Sequence, residues 1–134
     1  MITAYNNKSV KSLFVIGMPS SFEDVIPQII KVHPKHKTAA NLLVPEDFPK
    51  EQMPIYIAPH FKNPILLIVG SEDDRAPQWM AKEIFEALHD NSLNKLSIFN
   101  GAGHGGMQSP HIVDSERFYT ETIEFIDSCE NKIK

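Results

Sequence analysis

The sequence predicts an α/β domain built on a short parallel sheet, and three observations carry that prediction. Three apolar runs stand out at residues 12–16, 64–69 and 95–99, stopped by Gly17, Gly70 and the Asn100-Gly101 pair. The middle run shows no polar alternation, as a parallel strand covered on both faces requires. An amphipathic helical pattern separates the second and third runs and another follows the third, so strand, helix, strand and helix alternate with short connections.

Each element has its own justification. The first run is short and partly β-branched. From Pro19 to His60 the chain changes character, and Pro27, Pro34, Pro45, Pro49, Pro54, Pro59 and Pro64 break up anything regular. Val25, Ile26, Ile29, Ile30 and Val32 predict one short helix, bent or begun at Pro27, while 33–37 and 45–49 are read as irregular. A connection this long inside a compact domain is usually functional or a lid. Pro77 suits the first position of the next helix. Met80, Ala81, Ile84, Phe85 and Leu88 form its apolar face. The last helix is expected over about 115–129, with Phe118, Thr122, Phe125, Ile126 and Cys129 on one stripe, followed by a polar, frayed tail at 130–134.

Composition removes several function classes. The 134 residues suffice for one hydrophobic core and fall short of two ordinary domains. The net charge of −4, with Arg75 and Arg117 as the only arginines, leaves no basic stripe for nucleic acid. The longest apolar run, 65–69, is far below the roughly 20 residues a membrane-spanning helix needs. The first residues lack the apolar core of a signal peptide. The single Cys129 excludes an internal disulfide and a Cys-rich zinc site, and on its helix it reads as a small buried hydrophobe. The expectation from these features is a soluble, cytoplasmic chain with neither metal nor cofactor.

Two short segments carry the chemistry. Asp73 and Asp74 follow the strongest strand, within a turn that opens at Gly70 and closes at Pro77. Carboxylates at the C-terminal end of a parallel strand stand where open α/β sheets place their sites. Thirty-one residues after Asp73, His104 follows the third strand, flanked by Gly101, Gly103, Gly105 and Gly106. If these two strands are adjacent and parallel, Asp73 and His104 emerge side by side. A carboxylate on Nδ1 then fixes the tautomer of the ring and stabilises the imidazolium formed in general-base catalysis.

The order strand, G-x-x-D-x-x-x-P, helix, strand, G-x-G-H-G, helix resembles the C-terminal half of α/β-hydrolases, nearest their dienelactone hydrolase and serine-aminopeptidase-like branches. Gly70, Asp73 and Pro77 match the acid-bearing turn, and His104 with its glycines matches the histidine loop. The resemblance covers 63–129 well and reaches more weakly to 4–14, which looks like the end of the nucleophile helix entering the family's sixth strand. It implies a partial α/β-hydrolase fold of about three parallel strands. Residues 1–18 would be the end of the nucleophile helix and the sixth strand, 19–62 a cap-like segment, and 63–134 the acid and histidine strands with their helices. It also implies serine hydrolase chemistry on a small acyl substrate, with Asp73 as triad acid and His104 as general base. The family register selects Asp73 over Asp74, which becomes a solvent-facing residue or a helix cap.

The departure from that pattern is as informative. The family carries its nucleophile upstream of acid and histidine on G-x-S-x-G, and this sequence contains no such motif. Ser20 and Ser21 follow Gly17 and Pro19 with the wrong spacing, and by alignment belong to the loop after the sixth strand. Nucleophile and oxyanion hole are therefore expected outside this sequence, leaving the chain alone inactive as a triad. The competing expectation is a non-catalytic, truncated or sheet-completing subunit that works by association. Either way the first strand would present an open edge, so dimerisation or an N-terminal half is expected beside it.

Other residues receive plainer readings. The glycines at 101, 103 and 106 also spell G-x-G-x-x-G, but only one helix remains after them, which disfavours a dinucleotide site. His33 and His36 have a metal-like spacing opposed by Pro34 and the neighbouring lysines. His60 and His111 carry no signal. Arg75 is expected to pair locally with Glu72 or Asp74, and Trp79 to pack in the core or line a pocket. A complete flavodoxin-like domain would need five strands.

Overall fold

The structure is a computed structural model that describes residues 1–36 and 47–131; what the sequence suggested for 37–46 and 132–134 lies outside the described residues. The chain runs α1 (Ile2–Asn6), β1 (Leu13–Ile16), α2 (Phe22–Val32), α3 (Pro54–Ile57), β2 (Ile65–Gly70), α4 (Gln78–Ala87), β3 (Lys95–Phe99), α5 (Pro110–Val113) and α6 (Ser115–Asn131). Single 3-10 turns lie at Pro34–His36, Lys50–Gln52, Ala58–His60 and Gly106–Gln108. The strands form one parallel sheet in the order β1-β2-β3, with Leu13 opposite Ile65 and Leu66 opposite Lys95.

The missing alternation in the central run has its cause in this order. β2 is buried along its whole length because both of its faces are covered. Leu66 and Ile68 join Phe99 and Ala102 beneath Phe118, Phe125 and Cys129 of α6. Ile65 and Leu67 point the other way, onto Ile57, Ala58 and Phe61, and onto Ile84 of α4. Each fully buried Leu or Ile contributes about 1.5–3 kcal/mol, so β2 holds both layers together.

Several expectations shift. The helix after the first strand begins at Phe22 because Ser21 caps it, its Oγ accepting from Asp24 N at 3.1 Å. Pro27 therefore lies inside the helix rather than at its start. Pro77 is the N-cap of α4, one position before the first helical residue. On α4, Met80, Ala81 and Ile84 are buried, whereas Phe85 and Leu88 are only half-buried at its rim. On α6, Phe118, Phe125 and Cys129 face the core, but Ile126 is exposed together with Tyr119 and Ile123. Residues Pro34–His36, read as irregular, form a 3-10 turn.

The two sheet edges differ. In a parallel ladder alternate residues bond to opposite neighbours, so with Ser71 N bonding Phe99 O, the Ile98 carbonyl points away from β2. Arg117 Nη1 donates to that carbonyl at 3.0 Å, while its Nε pairs with Glu121 at 2.7 Å and its guanidinium lies 4.3 Å from the Phe99 ring centre. Buried Ser97 donates to Glu121 as well. Burial would raise the Glu121 carboxyl, but hydrogen bonds from Ser97 and Arg117 and the charges of Lys95 and Arg117 hold it below the ordinary glutamate value. On β1, Leu13 and Gly17 bond β2, leaving the polar groups of Phe14 and Ile16 directed outward, with both side chains partly exposed. Among the described residues, no helix is long and apolar enough to cross a membrane.

Candidate active site

The C-terminal ends of β2 and β3 bring Asp73 and His104 together. Asp73 lies in the turn leaving β2, and its side chain is 1% exposed. A buried carboxylate needs donors, and the turn supplies them. Asp73 Oδ1 accepts from the backbone N–H of Arg75 at 3.0 Å and of Ala76 at 2.8 Å. Both carboxylate oxygens also lie 3.0 Å from His104 Nδ1. An ionised carboxylate only accepts, so Nδ1 carries a proton, and in the neutral imidazole the lone pair then belongs to Nε2.

The histidine loop is anchored to the acid turn by backbone. Ser71 N donates to Phe99 O and Glu72 N to Ala102 O, each at 2.9 Å, and Gly101 N donates to Ser71 Oγ at 2.9 Å. Farther along, Gly103 N reaches Gln108 O at 2.7 Å. Gly70 is required by this contact: a Cβ there would fall 2.0 Å from the Ala102 carbonyl oxygen. The side chain of His104 is 37% exposed, so the ring stands at the rim with its acid beneath it.

Gly17, which the sequence offers as a strand stop and as the glycine before the misspaced Ser20 and Ser21, is the third member of this group. It follows β1 with φ of +58°, a left-handed conformation that favours glycine. A Cβ on Gly17 would lie 3.2 Å from Asp73 Oδ2 and 3.4 Å from His104 Nδ1. The three strand ends thus meet at the dyad, with Gly17 as its third wall. No sequence signal separates this glycine from an ordinary turn, since the contact is with residues far along the chain.

Ser20 and Ser21 are placed elsewhere. Both hydroxyls donate to Asp24 Oδ2 at 2.6 Å, and both residues are buried. They build the start of α2, which gives neither a free hydroxyl for attack. Asp74 is exposed, and its carbonyl accepts from Gln28 Nε2 at 2.7 Å, tying α2 to the acid turn. Among the described residues no ion pair joins Arg75 to Glu72 or Asp74, and the Arg75 side chain is exposed. Trp79 is 41% exposed rather than in the core, because it lies off the buried stripe of α4. Past Gly17, the segment Pro19, Ser21 and Phe22 lines an apolar cavity of about 100 Å³ with Phe48, Met53 and Pro54. No group of three or more His, Cys, Asp or Glu side chains among the described residues is arranged for a metal ion.

The model of the prolyl oligopeptidase family, peptidase family S9, matches residues 36–132, well over half of the chain. The chain belongs to the prolyl oligopeptidase family. The match contains both Asp73 and His104, and it places the chain within the α/β-hydrolase superfamily and among serine hydrolase-type proteins. Solved structures agree on the fold. The acylaminoacyl peptidase of Pyrococcus horikoshii is similar at 21% identity with a TM-score of 0.65, over 91% of this chain and 21% of that one. A puromycin-hydrolyzing peptidase of Mycobacterium tuberculosis aligns at 19% identity and 0.63, over 82% of this chain and 17% of that one. A monoacylglycerol lipase of Paleococcus ferrophilus aligns at 16% and 0.60, over 96% of this chain and 63% of that one. This prolyl oligopeptidase family chain therefore spans about a fifth of the length of the two peptidases. No curated protein sequence matches it.

Proposed function

We propose that this chain supplies the acid and the general base of a serine hydrolase, with the serine carried on polypeptide that adds to the β1 edge. The observation that carries the reading is the placement of His104 Nδ1 at 3.0 Å from both oxygens of buried Asp73, at the ends of adjacent parallel strands. In this reading His104 Nε2 takes the proton of the attacking serine and returns it to the leaving group. Asp73 holds the tautomer and stabilises the imidazolium. The substrate is a small ester, thioester or amide, and the apolar cavity lined by Phe22, Phe48 and Met53 suits an apolar group attached to the acyl carbon. The outward polar groups of Phe14 and Ile16 are the natural seat of the added strand, because the opposite edge is occupied by Arg117.

Fluorophosphonate labelling tests this. The chain combined with a family segment bearing G-x-S-x-G should label on that serine, and His104→Ala should suppress labelling. Equal labelling with and without His104 would dismiss the proposal. A second reading, a non-catalytic subunit that completes a partner's sheet, is favoured by the same open β1 edge; it predicts association without labelling.

A further inference from the structure

We propose that His104 is itself an acyl acceptor, giving this chain a serine-independent activity toward activated acyl compounds such as aryl esters. The inference stands on the dyad geometry and needs neither the added serine nor an oxyanion hole. Three features converge on Nε2. Its tautomer is set, because the proton on Nδ1 is held between the two Asp73 oxygens at 3.0 Å. Nε2 makes no hydrogen bond among the described residues, and the side chain is 37% exposed, so the lone pair is neither consumed nor shielded. The loop around the ring is exposed as well, from His104 through Gly105 and Gly106. His89 holds its Nδ1–H on the neutral Asp90 carbonyl, and among the described residues only His104 has a carboxylate there to offset the charge of an acylated ring.

The reaction balances without any further reactant than water. The Nε2 lone pair forms a bond to the acyl carbon as the bond to the aryl oxygen breaks, and the aryl oxide leaves with that electron pair. The resulting acyl-imidazolium keeps its Nδ1–H against Asp73, whose charge offsets the new positive charge. Water then adds to the carbonyl and the C–N bond breaks. Nε2 recovers its pair, the proton released by the water passes through solvent to the aryl oxide, and ester plus water have become carboxylic acid plus phenol. Unactivated esters and amides fall outside this chemistry, because a poor leaving group demands stabilisation of the oxyanion that the imidazole alone does not provide.

The probe is p-nitrophenyl acetate with the purified chain. We expect saturable nitrophenolate release that falls about tenfold or more in His104→Ala and also in Asp73→Asn, whose amide turns the ring to the Nε2–H tautomer. Ser20→Ala should release at the parent rate. The first turnover of release, read before water attacks the acyl-imidazolium, should be equally fast in H₂O and D₂O, since no proton moves in the attack. Circular dichroism identifies any variant that has lost its fold, and His104→Gln, at an exposed loop position, is the substitute. Release insensitive to His104 would overturn the proposal, as would loss in the Ser20 variant with retained fold, or a first turnover markedly slower in D₂O, which would make His104 a base for water.

Discussion

Asp73 and His104 meet through one imidazole proton shared by two carboxylate oxygens, each 3.0 Å from Nδ1, with the carboxylate further fixed by the N–H groups of Arg75 and Ala76. This relationship separates stability from chemistry. An asparagine at this position would keep an oxygen for the two turn N–H groups, whereas an alanine would leave them without an acceptor. Asp73→Asn should therefore cost about 1 kcal/mol or less and Asp73→Ala about 1–3 kcal/mol, measured by urea denaturation. Loss of the same stability in both variants would show that the turn does not depend on these bonds.

Gly17 should be irreplaceable for a reason that Gly101 does not share. Both have positive φ, +58° and +75°, but only Gly17 would drive a Cβ against the dyad. Gly101→Asn should be tolerated within about 1 kcal/mol, because asparagine accepts the left-handed conformation. Gly17→Asn should cost about 1–3 kcal/mol and displace the carboxylate, which ¹⁵N NMR of the His104 ring reports as a changed Nδ1–H signal. Equal effects at the two positions would mean that conformation alone, and not the contact, matters.

Much of this was legible in the sequence, and what was not has a common cause. The three strands emerge within a residue of their apolar runs, because an apolar run without polar alternation has two faces to bury and β2 lies between the two layers that cover them. Asp73 and His104 were readable because each follows a strand end, so strand adjacency alone juxtaposes them. Gly17 and the Gln28 contact to Asp74 depend on packing between distant segments, which leaves no local pattern. The exposed Ile126 shows the same limit on α6: its spacing fits the stripe, but the buried face of that helix is confined to Phe118, Phe125 and Cys129.

Acid should weaken the attachment of α6 to β3. Glu121 is held below its ordinary value in the fold, so the unfolded chain binds its proton first as pH falls. The stabilisation is complete above the unfolded glutamate value of about 4.3 and disappears as pH drops through the lower folded value. Glu121→Gln should cost about 1–2 kcal/mol at neutral pH and show a shallower decline in stability between about pH 5 and 3, in urea titrations at each pH. A decline as steep as the parent's would place the acid sensitivity elsewhere.

The open β1 edge should make the isolated chain associate. Phe14 and Ile16 are 38% and 40% exposed beside outward-facing backbone groups, and among the described residues no side chain at β1 plays the part that Arg117 plays at β3. Sedimentation should show concentration-dependent self-association, and Ile16→Lys should reduce it by placing a charge on the edge. A monomer at every concentration with both sequences would contradict this.

The central claim is that Asp73 and His104 serve a serine from outside this sequence, and amide hydrolysis by the reconstituted assembly tests it most directly. An aminoacyl p-nitroanilide is the suitable substrate, since its poor leaving group is beyond the unaided imidazole. The account predicts that His104→Ala and Asp73→Asn each lower kcat on the order of 10⁴-fold while KM stays within a few-fold. Parent-like kcat in either variant would contradict it.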